Sequence, residues 1–225
     1  MQIYVILYWC KKIFRTFAAM NRQNLISILE QEAEAVRNIP VTEEYENAID
    51  LIIKNVHELG GALIISGMGK AGQVAMNIAT TFSSTGTPSY FLHPSEAQHG
   101  DLGILRKNDM LLLISNSGKT RELMELVRLA RGLVEDIQYI VITSNPDTRL
   151  AKEAAACLCT GSPQEVCPLG LTPTTSTTVM TVIGDLLVVS VMKRIKYSNA
   201  DYAKRHHGGY LGAKSRQQCQ EEGSQ

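Results

Sequence analysis

The chain has 225 residues, 44% of them hydrophobic and 20% charged, which suits one soluble domain with a sizeable core. Lysine plus arginine and aspartate plus glutamate number 22 each, so the net charge is zero. That balance leaves no basic block for nucleic acid and no acidic solvating tail, and any anion binding falls to loops and helix ends.

The chain opens on an apolar run, MQIYVILYWC, followed by Lys11, Lys12 and Arg15. The run is too short to span a bilayer, and its charges sit on the wrong side for a signal peptide. Residues 1–21 read as a peripheral extension, or as a start placed upstream of Met20, with a weak membrane anchor as the alternative. The domain itself is expected over residues 22–212. Leu25, Ile28, Leu29 and Val36 share one helical face, as do Tyr45, Ala48, Ile49, Ile52, Val56 and Leu59, with Pro40 between the two helices.

Apolar strand-like runs then alternate with helical segments. The runs are Ala62–Ser66, Ser89–His93, Met110–Ser115, Tyr139–Thr143 and Ala156–Thr160. They are continuously apolar, as parallel strands covered on both faces require. Gln73–Ser84, Arg121–Gly132 and Thr148–Ala154 supply the crossovers. The pattern predicts an α/β fold, a three-layer, doubly wound, five-stranded parallel sheet. A last helix is expected from Pro173 to about Lys196, with Thr172 as N-cap and Pro173 in the first helical position. Its Val179, Ile183, Leu186, Leu187 and Val191 make it apolar nearly all round, so it is deeply buried or packs on a partner subunit. Beyond Gly212, residues 213–225 read as a polar, frayed tail, and no second domain is expected in these residues.

Cys10, Cys157, Cys159, Cys167 and Cys219 are an odd count without C-x-x-C spacing. A disulfide framework is not expected, and a reducing cytoplasm fits. Cys157 and Cys159 read as small buried hydrophobes.

Two loops carry the chemistry. Gly67-Met68-Gly69-Lys70-Ala71-Gly72 fits G-x-G-x-x-G between a strand and a helix. A dinucleotide site also needs an acid at the end of the second strand, but that strand runs into His93-Pro94, and the next acid is Glu96. Lys70 inside the loop suits a phosphate or a sugar oxygen instead. The third strand ends in Ser115, Asn116, Ser117 and Thr120, with Gly118 making the turn. Hydroxyls and the free N–H groups of a helix start make a phosphomonoester cradle without net positive charge. The alternative is plain N-capping by Ser117. The first and third strands lie near each other in many doubly wound sheets, so both loops are expected to face one crevice.

SGMGKAG, STGTPSYFLHPSEAQHGDLG, ISNSG, CPLGLTPTTSTT and HHGG, in that order, resemble the sugar isomerase (SIS) family, and within it the arabinose 5-phosphate isomerases of the Kdo pathway. The resemblance covers roughly residues 22–212. It implies a SIS fold and interconversion of D-arabinose 5-phosphate and D-ribulose 5-phosphate without a cofactor, supplying Kdo for capsule or lipopolysaccharide. It also implies a homotetramer whose active sites draw on neighbouring subunits.

The resemblance assigns roles residue by residue. Glu165, between Gln164 and Val166, matches a glutamate needed for activity. Its apolar neighbours predict partial desolvation and a raised pKa. His206 matches the histidine of a His-Pro-Gly-Gly motif that reaches into another subunit's site, and His207 stands where the family has proline. Lys70 would hold a hydroxyl or the phosphate, and Glu122 matches a further functional acid. Lys119 departs from the family by replacing an acid. His99 is matched to substrate contact. His93 is matched to a position that can take up zinc adventitiously, with no metal required. Ser66, Gly67 and Gly69, with Gly86 and Thr87 before Pro88, complete the expected substrate and phosphate contacts. Full-length members often carry regulatory CBS modules after this domain. With 13 residues beyond Gly212, the expectation is a minimal form whose feedback acts at the active site. Two other readings stay open: an isomerase of another sugar phosphate, and a sugar-phosphate sensor without turnover.

Overall fold

A computed structural model describes residues 22–222; the expectations for residues 1–21 lie outside the described part. Helices α1 (Arg22–Arg37) and α2 (Glu44–Ile52) come first, and α2 widens into a π-helical segment, Ile53–Glu58. The sheet follows as β1 (Leu63–Gly67), α3 (Gly69–Ser84), β2 (Ser89–Phe91), β3 (Met110–Ile114), α4 (Arg121–Leu133), β4 (Tyr139–Thr143), α5 (Arg149–Lys152) and β5 (Ala156–Cys159). Helices α6 (Thr175–Arg194), α7 (Asn199–Arg205) and α8 (Gly209–Glu222) close the described chain.

The five strands among the described residues are parallel, in the order β2-β1-β3-β4-β5. Every residue of β1, β3 and β4 is buried, as continuous apolar runs covered on both faces predict. Alternation decides which layer each side chain joins. Leu63, Ile65, Leu112, Ile114, Ile140 and Ile142 face α2, α3 and α6. Ile64, Leu111, Leu113, Tyr139 and Val141 face α4 and α5. Helix α6 is long and apolar enough to cross a membrane by length and composition, yet half of that stretch is buried inside the fold. Its other side leaves Leu186 and Val189 exposed. On α1, Leu25 and Leu29 of the apolar stripe are exposed within a single chain.

Several expectations need correction. Helix α3 starts at Gly69, not Gln73, because the glycine loop itself winds into the helix. Helix α6 starts at Thr175 with Thr174 as N-cap, not at Pro173 with Thr172. Residues 213–222 are not frayed: α8 continues through them, and the buried Ser215 hydroxyl donates to Asn199 O at 2.7 Å. Leu59 is exposed rather than part of the α2 face. Cys157 and Cys159 are only half-buried, because β5 is an edge strand.

Candidate active site

The connection leaves β1 toward β2 on one side, then crosses back to β3 on the other. The crevice at such a reversal, outside the carboxyl ends of the strands, is where open parallel sheets bind ligands. Gly67 and Ile114 are register partners there, each the last residue of its strand. The loops after β1 and β3 therefore start side by side.

Gly67 and Gly72 let α3 approach its strand. A Cβ on Gly67 would sit 2.8 Å from Ala71 O, and one on Gly72 would sit 2.6 Å from Gly67 O. Gly69 takes φ +57 with open space around it. Ser66 does not reach the crevice: it is fully buried, and its hydroxyl donates to Leu92 O at 2.6 Å, pinning the end of β2. Lys70 is exposed at the crevice mouth, where it donates to Gln73 Oε1 at 3.3 Å.

In the β3–α4 loop the four polar side chains divide. Ser115 is buried; its Oγ lies 2.7 Å from Thr120 Oγ1 and accepts the Gly118 N–H at 3.1 Å. Asn116 is anchored by its carbonyl, which accepts from Ser144 N and Oγ at 3.0 and 2.6 Å. The Asn116 side chain is exposed toward the crevice, and Ser117 is exposed beside it. Thr120, not Ser117, is the N-cap of α4, and its side chain does not cap it. Helix α3 likewise lacks a side-chain cap. Two uncapped helix starts thus deliver N–H groups and positive dipole ends to one place.

The half-open space between them is about 270 Å³, lined by Lys70, Asn116, Ser117 and Thr120 from these loops and by Ser176 and Thr177 from α6. A groove of about 570 Å³ continues from Lys70, Pro173 and Thr177 along the seam between α3 and α6. On the other side a hollow of about 480 Å³ shares Asn116 and Pro173 and contains Glu165.

Glu165 caps α6 from outside the helix. Its Oε2 accepts Thr174 N at 2.7 Å, Thr174 Oγ1 at 2.9 Å and Ser176 N at 3.2 Å. This remote cap fixes the helix start at Thr175. Burial pushes the Glu165 carboxyl up, but the hydrogen bonds from Ser176 and Thr174 together outweigh it and hold the pKa below the ordinary value. The expectation of a raised pKa is corrected: partial desolvation is present, but the helix start stabilises the ionised form more.

His93 and His99 follow β2 on the same side of the sheet. His93 packs edge-on to Phe91, with its buried Nδ1 lacking a partner among the described residues. His99 is exposed at the end of a 3₁₀ turn. Among the described residues, no group of three or more His, Cys, Asp or Glu is placed to hold a metal ion. Glu122 stands in the first turn of α4 and is not among the residues lining the crevice.

Gly86, Thr87 and His206 lie at the opposite pole. Leu63, the first residue of β1, donates from N to Pro88 O, so Gly86 and Thr87 sit at the amino ends of the strands. Five-residue strands at roughly 3.3 Å per residue separate the two poles by about 15 Å. Thr87 Oγ1 lies 3.0 Å from His57 Nε2, and burial pushes the His57 imidazolium pKa down. A Cβ on Gly86 would meet the Tyr197 ring at 2.8 Å. His206 stacks on Tyr202, with ring centroids 3.7 Å apart, and its Nδ1 lies 3.1 Å from Tyr202 O. Donation from Nδ1 to that carbonyl leaves Nε2 as the free nitrogen. His207 is exposed. One chain therefore does not bring these residues to the crevice, contrary to a single-chain reading of Gly86 and Thr87 as pocket lining.

Sequence reading missed Ser176 and Thr177 as crevice residues, although they lie within the CPLGLTPTTSTT segment. It also missed Cys167. The Cys167 Sγ accepts the Thr172 N–H at 3.2 Å and the Leu171 N–H at 3.4 Å, and these bonds, Thr172 first, bring its pKa down to about 7. The only sequence sign was Gly170, whose φ of +62 turns the loop back onto the sulfur.

The SIS domain profile matches residues 61–190 of the chain. Arabinose 5-phosphate isomerase KdsD of Yersinia pestis is 41% identical over 186 residues, which is 83% of this chain and 55% of that protein. The chain spans a little over half the length of the curated relatives it matches. A crystal structure from Bacteroides fragilis, assigned as a phosphosugar isomerase involved in capsule formation, superposes with a TM-score of 0.83. It is 64% identical, over 84% of this chain and 98% of that one. An E. coli CFT073 protein solved in complex with arabinose 5-phosphate superposes with a TM-score of 0.75 at 33% identity, over 83% and 100% of the two chains.

Proposed function

The chain belongs to the SIS domain family, and on that premise we propose that it interconverts D-arabinose 5-phosphate and D-ribulose 5-phosphate, in the cytoplasm and in supply of Kdo for surface polysaccharide. The observation that carries the reading is the crevice at the β1/β3 switch point. There Lys70, the exposed Asn116 and Ser117, and two uncapped helix starts face one space. The names of the similar proteins support the substrate: arabinose 5-phosphate is named both for the Yersinia enzyme and for the E. coli complex.

The proposed reaction runs through an enediol. A base takes the proton from C2 of the open-chain aldose, the O2 proton moves to O1, and a proton returns at C1 to give the ketose. Glu165 is the proposed base. Its Oε2 is bound to the α6 start, and Oε1 is the oxygen proposed to take the proton. The depressed pKa keeps it ionised at neutral pH while making it a weaker base. Lys70 neutralises charge developing on the enediol oxygens, and the α4 start with Ser117 and Thr120 holds the phosphate. Glu122 and His99, which do not line the crevice in one chain, are carried by the family resemblance alone as contacts of the substrate's hydroxyls. Each positioned acid or base is worth about 10² to 10⁴ in rate. His206, Gly86 and Thr87 come from a neighbouring subunit of a homotetramer, with the free Nε2 of His206 opening the sugar ring.

One observation favours the sensor reading: Glu165 has a structural task, capping α6, that needs no turnover. Proton NMR with arabinose 5-phosphate in D₂O separates the two. Ribulose 5-phosphate with deuterium at the exchanged carbon is expected. Turnover of a different sugar phosphate would move the substrate, and binding without turnover would establish the sensor.

A further inference from the structure

Helix α1 is linked to the start of α6 by the Glu32 side chain. Glu32 Oε1 accepts a 2.9 Å hydrogen bond from Thr175 Oγ1. The same Thr175 oxygen accepts the Val166 N–H at 3.2 Å. Val166 directly follows Glu165, and Thr175 stands between Thr174 and Ser176, the two residues that hold the Glu165 carboxylate. A hydroxyl has one proton to give. Because Glu32 takes it, the lone pairs of Thr175 turn to Val166. The loop is thus tied to α6 twice: by the Glu165 carboxylate, and by the next residue's N–H through Thr175.

The second tie is costly as a stability device. Glu32 Oε2 is buried and has no hydrogen-bond partner among the described residues. A buried carboxylate oxygen left unpaired opposes folding. An apolar side chain in α1 would pack against α6 without that cost.

We propose that Glu32 is a positioning residue, which orients the Thr175 hydroxyl onto the Val166 N–H and so fixes where Glu165 presents its carboxylate to the substrate. The inference rests on the isomerase reading above. It adds a residue far from the crevice in sequence and not among those lining it.

The test is steady-state isomerisation of arabinose 5-phosphate by wild type, E32A, E32Q, T175V, T175S and E32A/T175V, with Tm measured for each. A displaced catalytic group costs about tenfold to a hundredfold in rate, so E32A and T175V are each expected to lower kcat by that factor with KM within about twofold. The double variant should be no slower than the slower single variant, because both changes break one linkage. E32Q keeps an oxygen that accepts the Thr175 proton, and T175S keeps the hydroxyl; both should retain most of kcat. The proposal is overturned if E32A loses Tm but keeps kcat, if E32Q falls as far as E32A, or if the losses in the double variant multiply. Should E32A fail to fold, the T175V and T175S pair decides alone, since a relay role predicts loss in the first and rescue in the second. Wild type that turns over no sugar phosphate sinks the isomerase reading itself, a result distinct from a working wild type with an indifferent E32A.

Discussion

At Glu165 one carboxylate oxygen collects two N–H groups and a hydroxyl at the start of α6. Its pKa is lowered in the folded chain, so its contribution to stability is present above the ordinary glutamate range and is lost as pH falls through the folded value. E165Q should therefore melt below wild type at pH 7, and the gap should close as the pH is taken below about 4 in a Tm series. A gap constant with pH would contradict the cap. A second expectation concerns thiols. Cys167 titrates at about 7 under the Thr172 and Leu171 N–H groups, whereas burial pushes Cys157 up to about 12. Alkylation by iodoacetamide, followed by peptide mass spectrometry, should label Cys167 with a midpoint near pH 7 and leave Cys157 unlabelled at neutral pH. Equal labelling of the two would show that the N–H contacts do not hold the thiolate.

At the scale of elements, two glycines carry close contacts. Gly118 turns the β3–α4 loop at φ +65, and a Cβ there would lie 2.5 Å from Thr148 Oγ1 and 3.0 Å from Thr143 Oγ1. G118A should cost about 1–3 kcal/mol and loosen the loop, read as a lower denaturation midpoint with a raised KM. Gly184 lets α6 cross α3, where a Cβ would lie 2.4 Å from Ile78 Cδ1. Ile78 is itself fully buried, so G184A should overpack the seam by about 1–3 kcal/mol, read by urea unfolding, with KM unchanged. The strands were the most legible part of the chain. Met110–Ile114 is buried at every residue, and such a run has no helical or alternating phase to confuse it. Helix starts were less legible. Gly69 and Gly72 read as loop although α3 begins there, since glycine conformation leaves no mark in an apolar count. The start of α6 is fixed by the Glu165 carboxylate, nine residues back from Thr174, and local capping rules look only at near neighbours. Lys70, Asn116, Ser117 and Thr120 could be placed together from the strand order alone. Glu32 could not, because its link to Thr175 spans 143 positions.

The molecule as a whole has two poles. Lys70, the β3–α4 loop and Glu165 lie at the carboxyl ends of the strands; Gly86, Thr87 and His206 lie at the amino ends. Leu25, Leu29, Leu186 and Val189 are exposed apolar residues in one chain, and they are the surface we propose for the homotetramer. Mixing is the direct check. E165Q and H206Q should each be nearly inactive alone, and co-assembly of the two should restore part of the activity in hybrid sites. Persistent inactivity in verified hybrids would place the whole site within one chain. The separation of the poles has a further consequence for behaviour in solution. If neither pole can react alone, turnover depends on protein concentration as well as on substrate. Specific activity would then fall on dilution below the assembly constant and recover with a lag on reconcentration, so that the amount of enzyme present acts as a control on the reaction.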